Sequence, residues 1–207
     1  EEIKFFKPDF CKRFEINNEF ILFLGRFHEV KGIDTLLKAI DLIKQNPFLD
    51  KIKIVIMGVD FGYEKKMEEL IEKFNLSKKL VIIKKPKRED VISAYNECKF
   101  LVLPSKWELS PLTPLEGFAC KKTVISTTAH GIPFTISHNE NCLLVPPSDP
   151  QNLANAILEL IQNPLKCEKL AKSGFKMVSN EANLDSMSNK IFLVYEKAIK
   201  LNNGDLG

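Results

Sequence analysis

Two stretches carry charged side chains at spacings that suit a single ligand. GRFHEVKG, residues 25–32, sets Arg26 and Lys31 between two glycines, and KWELSPLTPLEGFAC, residues 106–120, sets Glu108 and Glu116 on either side of LSPLTPL. Singly, each residue is ordinary, because exposed basic residues fill most loops and a solvated carboxylate is the common fate of any one glutamate. Together they supply two cations and two carboxylates. Thr113-Pro114-Leu115-Glu116 reads as a capping box, with a hydroxyl at the N-cap, proline at the first helical position and glutamate at the third. That pattern gives Glu116 a structural explanation of its own, whereas Glu108 has no such local reason. A helix starting here would also present unpaired N–H groups to an anion such as phosphate. The set suits a ligand with phosphates and hydroxyls.

Short apolar runs alternating with longer amphipathic ones must position these residues. Strands are predicted at 20–25, 52–58, 80–83, 100–105, 123–127 and 142–146. Helices are predicted between them at 33–45, 64–74, 88–96, 114–120 and 151–161, followed by 165–180 and 184–201. Strands rich in Val, Ile, Leu and Phe with little alternation fit a parallel sheet covered on both faces, so the class is α/β and Rossmann-like. Ile33, Leu36, Leu37, Ile40 and Ile43 form one stripe, with Lys38, Asp41 and Lys44 opposite, as in a surface helix packed on a sheet. Ser148 or Asp149 caps the 151–161 helix, with Pro150 in its first turn. In such a sheet, ligands bind beyond the carboxyl ends of the strands where the strand order reverses. With the order 3-2-1-4-5-6, the loops after the first and fourth strands face each other there.

Residues 1–19 are the least regular part and read as a connection, 20–180 as the Rossmann-like α/β unit, and 181–207 as a C-terminal helix with a frayed tail. No segment is expected to leave an apolar stripe uncovered. The net charge of +3 over 207 residues argues against a dedicated nucleic-acid binder. The basic run Lys84-Lys85-Pro86-Lys87-Arg88 lacks interleaved aromatic residues and reads chiefly as a solvated loop beside the crevice. Five scattered cysteines without a C-x-x-C pair or neighbouring histidines read as reduced thiols of a cytoplasmic protein, and no metal site or cofactor is expected. Membrane association is not evident. A G-x-G-x-x-G dinucleotide fingerprint is absent after the first strand.

At these residues the chain resembles the group 1 family of retaining, nucleotide-sugar-dependent glycosyltransferases with the two-domain GT-B fold. GRFHEVKG is similar to the family's G-R-x4-K-G loop, and PSKWELSPLTPLE to its P-S-x-x-E-x7-E segment, with Glu108 and Glu116 as the two acids. TVISTTAHGIPFTISHNENCLLVPPSDP resembles the stretch that follows, through a G-G-I-P turn and a G-L-L-V-P-P-x-D motif. The resemblance implies one half of a GT-B fold, the donor-binding C-terminal domain, whose partner is an N-terminal acceptor domain. The chain starts Glu-Glu without Met, which fits such a fragment. It implies a UDP-, GDP- or ADP-sugar as donor and transfer of a hexose without a metal. Arg26 and Lys31 would bind the diphosphate beside Gly25, and the N–H groups of Leu112 and Thr113 would meet it at the helix start. Glu108 would bind sugar hydroxyls, Glu116 the ribose, and the base would lie near Lys85. The isolated domain would be nearly inactive, because half a cleft cannot bring donor and acceptor together.

Four departures from the family pattern stand out. Leu109-Ser110-Pro111 replaces Gly-Phe-Gly or Ser-Phe-Gly after the first acid, and Pro111 has no N–H to offer a sugar. His130 replaces the first glycine of the G-G pair, and Phe134 stands where an acid is common. Lys121-Lys122 takes the place of a glycine-containing pair before the fifth strand. The alternative is a non-catalytic relative that senses or holds a nucleotide sugar in the same crevice.

Overall fold

Every residue from Phe20 to Phe23 is fully buried, because this strand lies at the middle of the molecule and feeds two cores. A computed structural model describes residues 9–202. Glu19–Leu24 (β1) sends Ile21 and Phe23 to one face and Phe20 and Leu22 to the other. Each fully buried phenylalanine stabilises the fold by roughly 2–3 kcal/mol relative to exposure. The remaining strands are Ile52–Gly58 (β2), Leu80–Lys84 (β3), Leu101–Leu103 (β4), Val124–Thr127 (β5) and Cys142–Val145 (β6). All pair in parallel, in the order β3-β2-β1-β4-β5-β6. The order reverses between β1 and β4.

Helices cover both faces. Ile33–Ile43 (α2), Glu64–Lys73 (α3) and Pro150–Gln162 (α6) bury their apolar stripes in the core that receives Ile21 and Phe23. Phe10–Arg13 (α1), Arg88–Glu97 (α4), Leu112–Ala119 (α5) and the long Pro164–Glu181 (α7) close the other. Predicted and observed elements agree to within two residues at nearly every boundary. Asp149 caps α6 by accepting from the Asn152 N–H, and Pro150 opens it. Pro164, two residues past the end of α6, itself opens α7, capped by Asn163.

Two expectations change. Within the stretch read as irregular, residues 10–13 form a turn of helix, and the ring of Phe10 packs on those of Phe14 and Phe20 at 4.7 and 5.2 Å. Glu97 of α4 accepts from the backbone N–H groups of Phe10 and Cys11, which satisfies the helix start and ties it to the core face. Leu184–Asn202 (α8) also overturns the expected absence of an uncovered stripe, since Met187, Ile191, Val194 and Leu201 are all about half exposed or more. An amphipathic pattern predicts a buried face but not whether the covering partner lies within the same chain. Residues 1–8 and 203–207, including the tail expected to fray, lie outside the described residues. No helix among the described residues is long and apolar enough to cross a membrane.

Candidate functional site: the crevice between the β1–α2 and β4–α5 loops

The two loops singled out by their charges are clamped together at the switch point. After β1, His28 folds its ring back to accept from the Val30 N–H, and Glu29–Lys31 form a 3-10 turn. Gly32 then enters α2 at φ 68°, in the left-handed region that glycine adopts without strain. A Cβ at Gly32 would lie 1.9 Å from the Pro104 carbonyl oxygen. The glycine is therefore required twice, by its backbone angle and by the close approach of the loop after β4. The Lys106 N–H donates to the Val30 carbonyl at 2.8 Å and completes the clamp.

Across this junction the Lys31 ammonium donates to the Glu108 carboxylate, linking residues 77 apart in the chain. Both side chains are mostly buried, at 14% and 17% exposure. A second pair lies behind the first, with Lys106 Nζ 2.9 Å from Asp34 and Lys38 at 3.3 Å on the other oxygen. Burial opposes ionisation of Asp34, but Lys106 and then Lys38 outweigh it and hold its carboxyl below the usual carboxylate range. The crevice floor is thus a set of matched charges. Arg26 is exposed, with its guanidinium 5.1 Å from the ring centre of Phe61 in the β2–α3 loop.

A third loop holds the β4–α5 segment from the far side. The Gly131 N–H donates to the Glu108 carbonyl at 2.9 Å, and a Cβ on Gly131 would sit 1.6 Å from the Leu109 carbonyl oxygen. His130 takes φ 42°, in the left-handed region, and sets its ring 5.8 Å from that of Trp107. The Ser126 and Thr127 hydroxyls donate to the carbonyls of Leu103 and Ser105 at 2.9 and 2.6 Å. Glu108 is therefore fixed through its own backbone as well as its side chain.

The capping-box reading of Thr113 and Glu116 is corrected. Helix α5 begins at Leu112, its N-cap position is Pro111 at φ −74° and ψ 122°, and no side chain caps it. Pro111 fixes an extended entry, so the chain is already helical at Thr113 and that hydroxyl is past the position from which it could cap. Pro114 still lies in the first turn, where its missing N–H has no intrahelical partner to lose. Freed from capping, Glu116 accepts from the Tyr95 hydroxyl of α4 at 2.6 Å. Burial and the adjoining carboxylate push the Tyr95 hydroxyl far up, so it stays a donor. Leu112 and Glu116 also border a cavity of about 710 Å³ shared by α5, α7 and the start of α8. The N–H groups at the start of α5 have no side-chain cap to occupy them.

Of the predicted residues, Gly25, Arg26 and Lys31 share one loop; Glu108, Leu112, Thr113 and Glu116 share the facing segment; and Lys31 and Glu108 touch across the crevice. Lys85 follows β3 at φ 52° and is exposed, its N–H bonded to the Gly58 carbonyl at 2.8 Å. The basic run around it is partly neutralised, since Lys84 pairs with Glu64 and Glu68. Sequence reasoning missed Tyr95, Phe61, Lys106 and Asp34. Phe61 follows β2 at the same sheet edge, so the strand-end rule reaches it; Tyr95, on the buried face of α4, carries no such signal. Burial raises the thiols of Cys98 and Cys142 to about 12 and those of Cys11 and Cys120 to about 11, so none of these four is poised as a nucleophile.

A parallel sheet with this strand order and a charged crevice at its switch point defines a doubly wound, Rossmann-like α/β domain. The family model for the group 1 glycosyl transferases matches residues 8–177, and the chain belongs to that family. It is 34% identical over 155 residues to an uncharacterized glycosyltransferase of Methanocaldococcus jannaschii, covering 75% of this chain and 42% of that protein. Sucrose-phosphate synthase from Thermosynechococcus elongatus superposes with a TM-score of 0.81 at 27% identity, over 96% of this chain and 51% of that one. A protein of Anabaena crystallised with UDP-glucose superposes with a TM-score of 0.80 at 22% identity, over 91% of this chain and 52% of that one. The chain thus spans about half the length of the relatives it matches.

Proposed function

We propose that this chain is the donor-binding half of a retaining, metal-independent glycosyltransferase that moves a hexose from a nucleoside-diphosphate sugar to an acceptor. The observation that carries this reading is the Lys31–Glu108 contact across the two clamped loops, beside the uncapped start of α5. Cleavage of a glycosyl phosphate is limited by charge building on the departing diphosphate, and fixed cations lower that barrier. Arg26 and Lys31 supply those cations from the protein.

Without donor, Glu108 neutralises Lys31, so that neither charge is left unpaired in a mostly buried place. An arriving diphosphate takes over the ammonium, and the released Glu108 carboxylate accepts hydrogen bonds from the sugar hydroxyls. One ion pair is exchanged for another, and recognition of the sugar is coupled to recognition of the phosphate. The N–H groups of Leu112 and Thr113 meet the phosphate, Glu116 held by Tyr95 accepts from the ribose, and Lys85 lies beside the base. Retention by front-face attack within an ion pair needs no protein nucleophile, in keeping with the raised thiols. The UDP-glucose bound to the Anabaena protein favours a uridine donor.

The acceptor belongs to an N-terminal domain, which would also cover the apolar stripe of α8. Free cysteines, all five without a disulfide, support a reducing, cytoplasmic setting. Titration calorimetry of the chain with UDP, GDP and ADP tests the binding step, and no heat with any of them at millimolar concentration would overturn it. The anomeric proton of the product made by the full-length protein, read by NMR, decides between retention and inversion. One observation favours a second reading, a non-catalytic nucleotide-sugar sensor. Pro111 removes an N–H at the N-cap of α5, directly beside the proposed sugar. Absence of both transfer and donor hydrolysis in the full-length protein would select it.

A further inference from the structure

We propose that a cavity at the opposite, amino-terminal edge of β4 and β5 is a binding site for a small phosphate monoester carried on an apolar body. Its volume is about 340 Å³, within the range of small-molecule sites. Lys99 and Lys122 reach it from just before β4 and β5, Lys121 from the end of α5, and Lys172 from α7. Its walls are Pro164, Ala171 and Cys167 together with the lysine stems, and Glu168 is the one acid on its lining. It lies across the sheet from Arg26 and Lys31 and has no part in the donor reading.

Four like charges around one concavity repel, so the arrangement needs compensation. Lys99 is held by Glu19 at 3.0 and 3.1 Å, and Lys172 by Glu168 at 2.7 Å. No carboxylate among the described residues lies within ion-pair distance of Lys121 or Lys122, and the Lys121 ammonium rests 5.0 Å from the ring centre of Phe175. Four lysines against two glutamates leave an excess of two positive charges. A phosphate monoester carries about −1.5 to −2 at pH 7, which matches that excess, and lysine binds phosphate as a point charge. The apolar walls call for an apolar body behind the head group.

The backbone gives this placement a second support. Helix α5 ends in a Schellman motif, with the Lys121 N–H bonded to the Phe118 carbonyl at 2.8 Å and the Lys122 N–H to the Gly117 carbonyl at 2.9 Å. Lys121 occupies the left-handed position at φ 58°, where glycine is the usual residue. The backbone angle favours glycine here, yet the chain sets two adjacent lysines at the cavity.

The test is amide NMR of the chain titrated with octyl phosphate, inorganic phosphate and octanol. Octyl phosphate is expected to shift Lys121, Lys122 and Cys167 saturably, inorganic phosphate to bind the same amides at least tenfold more weakly, and octanol not to saturate. Lys122→Gln with Lys172→Gln should weaken octyl phosphate tenfold or more while leaving UDP binding unchanged. Lys121→Gly should also weaken it, and because that change relieves a left-handed lysine, a urea midpoint at or above that of wild type separates lost binding from unfolding. Equal affinity in wild type and variants, equal binding of inorganic and octyl phosphate, or shifts confined to the Arg26–Lys31 loop would each overturn the site.

Discussion

The two ends of the sheet handle charge in opposite ways. At the carboxyl end, cations and carboxylates are matched within a floor of interlocked loops, with Lys31 on Glu108 and Lys106 on Asp34. At the amino end, Lys121 and Lys122 gather with Lys99 and Lys172 around a concavity with fewer acids to meet them. On the proposed function, the first end releases a cation by exchanging partners, which would make binding there selective for an anion that also carries hydroxyl donors for the freed acid. The second end is charged before any ligand arrives, which favours capture of an anion with less discrimination. A matched floor also demands tight backbone contact, because buried charges cost several kcal/mol each when their geometry is loose.

That demand can be broken most severely at Gly131. Its Cβ would fall 1.6 Å from the Leu109 carbonyl oxygen, a backbone clash that no side-chain movement relieves. Gly131→Ala is expected to cost on the order of 3 kcal/mol, read as a lowered urea midpoint, with loss of UDP binding as the β4–α5 segment shifts. A midpoint within experimental error of wild type would show that the clamp is not required.

Much of this architecture is legible in the sequence. The β2 boundaries are the predicted ones, because Ile52–Gly58 is an unbroken apolar run ending at a glycine. The strand order 3-2-1-4-5-6, taken as an assumption, is the one the structure has. What periodicity cannot reveal is pairing between distant side chains. Lys31 and Glu108 each stand out by type and position, yet their contact depends on Gly32 closing onto Pro104, a backbone approach with no local signature. Thr113 shows the opposite failure. Its local pattern fits a cap well, but Pro111 starts the helix earlier and overrides it, and Glu116 finds Tyr95 instead. The helix at 184–201 is legible as a helix, whereas the exposure of Met187, Ile191 and Val194 on α8 is not.

The exchange at the carboxyl end can be sharpened by removing each partner in turn. Lys31→Ala should weaken UDP by about thirtyfold, near 2 kcal/mol for a charge-assisted hydrogen bond, with uridine binding unchanged. Equal losses for uridine and UDP would remove Lys31 from the phosphate role. Glu108→Gln should act in the other direction on UDP, because the ammonium no longer has to leave a carboxylate. A three- to fivefold gain in UDP affinity is expected, about 0.6–1 kcal/mol, together with a loss of preference for UDP-glucose over UDP. Weaker UDP binding in Glu108→Gln would mean that Glu108 positions Lys31 rather than competing with the donor for it.

The smallest effect separates the two ends most cleanly. Lys121 sits at φ 58° in the last hydrogen-bonded turn after α5, where a Cβ crowds the backbone and glycine does not. Lys121→Gly is therefore expected to stabilise the folded chain by about 0.5 kcal/mol, part of the relief being offset by the greater freedom of glycine in the unfolded state. It should leave UDP affinity unchanged, since the change lies across the sheet from the crevice. Increased stability with reduced octyl phosphate binding would show that the lysine is kept for its charge at the expense of its backbone. Lower stability would mean that the contact of its ammonium with Phe175 outweighs the strain, and that packing alone accounts for the residue.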